Sequence, residues 1–193
     1  MIILGLTGSL AMGKSNVARH FRARGVPVHD ADAAVHKLYE GAAVAPIREA
    51  FPGAIVDSKV DRKKLSALLS GKEQWQKLEA IVHPLVRQEK EKFLQAAQDK
   101  GMRLVVVDIP LLFETGGDKD CHAVLVVTAP FEMQKQRAMK RAGMTEEKFN
   151  AIVAQQMPDA EKKRRAHFII DTSGPKSATA RQVDAIIRAY SGR

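Results

Sequence analysis

Gly8-Ser9-Leu10-Ala11-Met12-Gly13-Lys14-Ser15 fits G-x-x-x-x-G-K-[ST], the pattern of a loop that cradles phosphates. Met1 to Leu6, just before it, is a short apolar run suited to a buried strand. Asn16 to Arg24, just after it, reads as a helix with Val17, Ala18 and Phe21 on one face. The strand delivers the loop to the edge of a sheet, and the helix begins where the phosphates sit. Unpaired backbone N–H groups and the positive end of the helix dipole favour an anion there. Gly8 and Gly13 have no Cβ, so the backbone can curl closely around oxygen atoms. Lys14 reaches the β- and γ-phosphates, and the Ser15 hydroxyl takes one Mg²⁺ position. The bland alternative is a glycine-rich turn that happens to contain Lys-Ser. Eight positions in register between a strand and a helix argue against it.

Outward from this loop, Gly25 stops the first helix and Val26 to His29 form a short strand whose Pro27 suits its beginning or a sheet edge. Asp30-Ala31-Asp32 follows, then helical stretches over Ala33–Tyr39, Val44–Phe51, Val60–Ser70 and Lys72–Gln98. Pro84 kinks the last of these or splits it. Leu104 to Asp108 and Ala123 to Val127 are apolar without alternation, the mark of strands buried on both faces of a parallel sheet. Helices over Pro130–Ala142 and Thr145–Gln156, a strand over His167–Asp171 and a helix over Ser177–Tyr190 complete the chain.

Strands alternating with helices predict an α/β fold with a mainly parallel five-stranded sheet in a three-layer sandwich. Residues 30 to 103 hold several helices and no convincing strand, more than one crossover needs. The expected organisation is a single domain over 1–193. Its core covers about 1–32, 101–130 and 166–193, with a helical substrate subdomain over about 33–100 lying on the sheet's ligand edge. A lid rich in Lys and Arg covers about 131–165.

The net charge of +9 is compatible with nucleic acid or with small ligands carrying several phosphates. Ten aromatic residues and no RNP-like motif leave little for base stacking, so phosphorylated small molecules are favoured and nucleic acid is not expected. The single cysteine, Cys121, excludes an intrachain disulfide and fits a reducing cytoplasm. No apolar run approaches the roughly 18 residues of a membrane span, and the N-terminus has no signal-peptide pattern.

Asp108 ends a hydrophobic strand, where the acidic partner of a Mg²⁺–nucleotide site stands, and strand ends of parallel sheets face the ligand crevice. It completes a metal pair with Ser15. Asp30 and Asp32 lie at the end of the second strand, two apart and so on one face. One of them can cap the following helix, and at least one is expected to be catalytic. Arg137 and Arg141, four apart, share a helix face and supply positive charge to a transferring phosphoryl group; their bland alternative is a solvated basic face. Lys162 to Arg165 are read as solvated charge.

Taken together, these motifs resemble the dephospho-CoA kinase family. The matching pieces are Gly5-Leu6-Thr7-Gly8 leading to Gly13-Lys14-Ser15, Gly25-Val26-Pro27-Val28 leading to Asp30-Ala31-Asp32, His83-Pro84-Leu85, Asp108-Ile109-Pro110-Leu111-Leu112-Phe113-Glu114, the Arg137 and Arg141 pair, and Phe168-Ile169-Ile170-Asp171 leading to Gly174. The resemblance spans nearly the whole chain in order. It implies a P-loop kinase fold and phosphorylation of the ribose 3′-hydroxyl of dephospho-CoA, with ATP and Mg²⁺. It implies Asp32 as base, Ala11, Met12, Gly13, Lys14, Ser15 and Asn16 around the ATP phosphates, and His83 and Leu112 on the substrate side. The family's usual Gly-Ile-Gly-Ser is here Ser9-Leu10-Ala11-Met12. Where Asn is common after the last strand, Asp171-Thr172 stands.

The nearest rival is another small-molecule P-loop kinase, for a nucleoside or nucleotide. A GTPase switch would read guanine with Asn-Lys-x-Asp, and neither Asn16 nor Asn150 begins that motif.

Overall fold

The computed structural model describes residues 1–191 of the chain; Gly192 and Arg193, at the end of the expected core range, lie outside them. Strand β1 (Ile2–Thr7) runs through the glycine-rich loop into α1 (Lys14–Ala23), and β2 (Val28–Asp30) runs directly into α2 (Ala31–Tyr39). Next come α3 (Val44–Ala50), the hairpin strands β3 (Ile55–Val56) and β4 (Lys59–Val60), α4 (Arg62–Leu68) and α5 (Lys72–Asp99). The remainder is β5 (Leu104–Asp108), β6 (Ala123–Thr128), α6 (Phe131–Met139), α7 (Glu146–Gln155), α8 (Asp159–Arg165), β7 (Phe168–Asp171) and α9 (Lys176–Ser191).

The main sheet has five strands in the order β2-β5-β1-β6-β7, and β1 pairs with β5 and β6, and β6 with β7, in parallel. Val105, Val106, Val124, Val126 and Val127 are buried without alternation, as a sheet covered on both faces requires. One face packs Leu4, Leu6, Val106 and Leu125 against Val17, Ala18 and Phe21 of α1 and Val183 and Ile186 of α9. Arg24, just past α1, forms a two-pronged ion pair with Asp184 of α9. The other face buries Leu112 and Phe113 against Val124 and Val126, with Met157 and Ala166 alongside.

Two compact units divide the chain. The first holds Met1–His29 and the chain from Ala97 onward, so α6, α7 and α8 belong with the sheet. The second, Asp30–Ala96, has its own core of Leu38, Tyr39, Ile47, Phe51, Val60, Leu65, Leu78 and Val82. Truncating a fully buried residue such as Ile47 to Ala costs ~2–5 kcal/mol, so this core is a substantial one.

Several expectations are corrected. The region between the second and third main strands does contain strand: β3 and β4 pair antiparallel, Ile55 with Val60 and Val56 with Lys59. Asp57 and Ser58 make the turn between them, both at positive φ, too short a hairpin to leave an alternating pattern. The fourth helix starts later than expected because Asp61 caps it, its carboxylate accepting from the N–H groups of Lys63 and Lys64. Of the two expectations for Pro84, the split is corrected: its helix is continuous from Lys72 to Asp99. Asp159 to Arg165 form a helix of their own, and Lys162 is not solvated: it is fully buried, its Nζ 2.9 Å from Glu114 Oε1.

Candidate active site

The first turn of α1 has N–H groups with no intrahelical acceptor and no acidic residue to oppose an anion. Gly13 caps that helix at φ 95, and a Cβ there would stand 3.0 Å from Thr172 Oγ1. The positive φ calls for glycine, and the Thr172 hydroxyl leaves a Cβ little room. Gly8 is required for another reason than the one its motif suggests: a Cβ would stand 2.6 Å from the Val127 carbonyl oxygen, so it lets the loop leave the sheet against β6. Ala11 and Met12 are buried by their side chains, so what they offer a phosphate is backbone N–H. Lys14 and Asn16 are partly exposed, and Ser15 is exposed at the start of α1.

Asp108 ends β5 in register with Leu6 of β1, is almost wholly buried, and forms an ion pair with Lys14. The Thr7 hydroxyl donates to the Pro110 carbonyl at 3.0 Å, binding the two strand-end loops together. A divalent cation here would find hard oxygen donors in Ser15 and Asp108. No cluster of three metal-ligating side chains exists among the described residues. That donor set suits Mg²⁺, which is commonly held by one or two carboxylates with substrate phosphates and water completing its shell.

Arg137 lies on α6 and donates to Thr172 twice, from Nη1 to Oγ1 at 2.9 Å and from Nη2 to the carbonyl at 2.7 Å. Thr172 Oγ1 donates in turn to the Met12 carbonyl at 2.7 Å. Arg137, Thr172, Gly13, Asn16, Arg19 and Lys176 line a cavity of about 310 Å³ beside the start of α1. The expected helix face shared by Arg137 and Arg141 is not found: α6 ends at Met139, and Arg141 is exposed in the turn beyond it. Gly143 at φ 71 makes that turn.

Asp30 and Asp32 do not share a strand face. Asp30 is the last residue of β2 and the cap of α2, accepting from the Ala33 N–H at 3.0 Å, and Asp32 is exposed in the first helical turn. Helix propagation from Ala31 overrides the extended geometry that the spacing assumed. His83 is exposed on α5, immediately before Pro84. Leu112 is fully buried with Val124 and Val126, and its carbonyl accepts from Gly117 N–H at 2.9 Å. Its side chain packs against β6.

The sequence marks Thr172 only as a departure from the family's usual Asn, and its link between Arg137 and the Met12 carbonyl went unforeseen. So did the Glu114–Lys162 pair. Burial pushes the Glu114 carboxyl up, but Lys162 and the Met157 N–H, 2.8 Å from Oε1, outweigh that and hold it below the usual carboxylate range. A charge ending an apolar Pro-Leu-Leu-Phe run was the available signal.

The loop, the Lys14–Asp108 pair and the parallel order of the sheet are those of a P-loop kinase. A family model described as dephospho-CoA kinase matches residues 2–177. A dephospho-CoA kinase from Mesorhizobium japonicum is 53% identical over 194 residues, covering 100% of this chain and 98% of that protein. The crystal structure of a Thermus thermophilus protein superposes with TM-score 0.87 at 36% identity, covering 99% of this chain and 98% of that one. A Campylobacter jejuni dephospho-CoA kinase superposes with TM-score 0.74 at 27% identity, covering 98% of each chain. Agreement of this kind along the full length, on top of the loop chemistry, places the chain in the dephospho-CoA kinase family.

Proposed function

We propose that the chain transfers the γ-phosphoryl group of ATP to the ribose 3′-hydroxyl of dephospho-CoA, giving coenzyme A and ADP, the last step of coenzyme A biosynthesis. The observation that carries this reading is the family match over residues 2–177 in a chain that keeps Lys14 and a buried Asp108 beside the glycine-rich loop.

In this reading the N–H groups of Ala11 to Asn16 surround the ATP phosphates, and Lys14 leaves Asp108 to meet the β- and γ-oxygens. Ser15 and Asp108 hold Mg²⁺, which when bound neutralises phosphate charge. The cavity beside Thr172 receives the rest of the nucleotide. Asp32 accepts the proton of the 3′-hydroxyl as the new O–P bond forms and the bond to ADP breaks. His83 serves the acceptor side. Arg141 meets the charge spread over the transferring group, while Arg137 steadies the loop after β7 that borders the nucleotide. Such chemistry rests on positioning and charge stabilisation, since the transferring group has a loose transition state.

No described helix is long and apolar enough to cross a membrane. A cytoplasmic setting and a small-molecule acceptor, without nucleic acid, belong to the same reading. The test is a steady-state comparison of dephospho-CoA, AMP, adenosine and pantothenate as acceptors with ATP and Mg²⁺. Turnover of dephospho-CoA is expected far above the others. Equal or better turnover of AMP would instead favour a nucleotide kinase.

A further inference from the structure

Leu10, in the middle of the glycine-rich loop, has both its backbone groups taken by side chains from outside the loop. Its N–H donates to Gln156 Oε1 at 3.0 Å, and its carbonyl accepts from Gln134 Nε2 at 2.9 Å. Gln134 stands on α6 and is 2% exposed; Gln156 caps the C-terminus of α7. Between these two bonds the loop buries Ala11 against Ala138 of α6 and Phe149 of α7, both fully buried, with Leu10, Met139 and Val153 alongside.

In a trans peptide the C=O and N–H point in opposite directions. Fixing one of the two therefore fixes the other. Gln156 takes the N–H of the Ser9–Leu10 peptide, and the carbonyl of that peptide turns back to accept from Met12 N–H at 3.2 Å. Gln134 takes the carbonyl of the next peptide, Leu10–Ala11, which turns the Ala11 N–H away from α6. The two planes are thus set by separate bonds, and Ala11 between Leu10 and Met12 holds φ 60. A residue with a Cβ adopts that left-handed conformation only at a cost, so something must hold it there.

We propose that Gln134 and Gln156 are positioning residues for the phosphate loop: Gln156 sets the plane of the Ser9–Leu10 peptide and Gln134 that of the Leu10–Ala11 peptide, and the two together fix the direction in which the Ala11 N–H is offered to a bound phosphate. The inference rests on the kinase reading above and deepens it, because it makes α6 and α7 part of the nucleotide half of the site. Displacement of these helices either carries the loop along or releases Leu10.

The experiment compares Gln134→Met, Gln156→Met and Gln156→Glu in the full chain, reading KM for ATP, KM for dephospho-CoA, kcat and the thermal midpoint. Either Met variant keeps the length of the side chain and loses the hydrogen bond. KM for ATP is expected to rise about tenfold in each, the worth of roughly one hydrogen bond, with KM for dephospho-CoA within about twofold of the parent. Gln156→Glu keeps an oxygen that accepts from Leu10 N–H and is expected to stay near the parent. Gln156 ends a helix and is only partly buried, so its two variants decide the matter even where Gln134→Met fails to fold. The inference is overturned where Gln156→Met leaves KM for ATP unchanged, or raises both KM values together with a lowered midpoint, or where Gln156→Glu behaves like Gln156→Met. Lys14→Ala distinguishes the two levels: an inactive Lys14→Ala beside native glutamine variants sinks the positioning role alone, whereas a native Lys14→Ala sinks the kinase reading beneath it.

Discussion

Arg137 grips Thr172 by both its hydroxyl and its carbonyl, at 2.9 and 2.7 Å, and Thr172 passes that hold to the Met12 carbonyl of the glycine-rich loop. Arg137 is thereby a member of a three-residue bracket and not a detached charge. A hydrogen bond to a charged group is worth ~1.5–3 kcal/mol, and linked partners are non-additive. Arg137→Met and Thr172→Val are each expected to lower unfolding free energy by ~1–3 kcal/mol, and the double variant by at least ~0.5 kcal/mol less than their sum. Denaturant unfolding of the four proteins measures this, and strict additivity would contradict the bracket.

In the proposed reaction Lys14 serves both bound and transferring phosphates, so Lys14→Ala is expected to lower kcat more than ATP affinity. Ser15→Ala acts through the metal and is expected to be partly relieved by excess Mg²⁺. Initial rates across ATP and Mg²⁺ concentrations check both. Near-native activity in the pair would remove the phosphate-binding role of the loop.

The two carboxylates at the junction of β2 and α2 stand in different positions. Asp30 caps α2, so Asp30→Ala is expected to cost about 1 kcal/mol of stability while leaving turnover of the folded protein largely intact. Asp32 is exposed in the first turn of that helix, and Asp32→Asn keeps the shape but loses the proton acceptor proposed above. A fall in kcat of ~10²–10⁴-fold is expected, with ATP binding nearly unchanged. Turnover abolished in Asp30→Ala but kept in Asp32→Asn would reverse the roles.

Glu114 carries a pH signature. Its carboxyl is held below its ordinary value of 4.5 in the folded chain, so the stability it contributes is fully present above that value. Below it the unfolded chain binds the proton first, and the contribution is lost as pH falls through the lower folded value. Unfolding free energy is therefore expected to decline with acid less steeply in Glu114→Gln than in the parent. Chemical denaturation from pH 6 downward tests this, and identical slopes would count against the Lys162 pairing as its source.

Much of this architecture is legible in the sequence because it rests on local rules. The glycine-rich octapeptide, the unbroken valine runs of β5 and β6 and the break at Gly25 each act over a few residues. Contacts between distant residues leave no such trace. Nothing local in Lys162-Lys163-Arg164-Arg165 says that its first member folds inward to Glu114 while Arg164 and Arg165 pair with Glu161 on the surface. Leu112 sits in a motif that resemblance ties to substrate, yet its burial against β6 is decided by the sheet. The spacing of Asp30 and Asp32 suggests one strand face, but the helix begins one residue after the first of them.

The most direct test of the central claim is the position of the new phosphate. The full-length protein is incubated with ATP, Mg²⁺ and dephospho-CoA, and the product is analysed by two-dimensional ³¹P–¹H NMR alongside quantitation of ADP. The account predicts a new phosphomonoester correlated with the ribose H3′ and one ADP formed per phosphate transferred. A phosphate correlated with any other position, or ADP released with no new phosphomonoester, would contradict it.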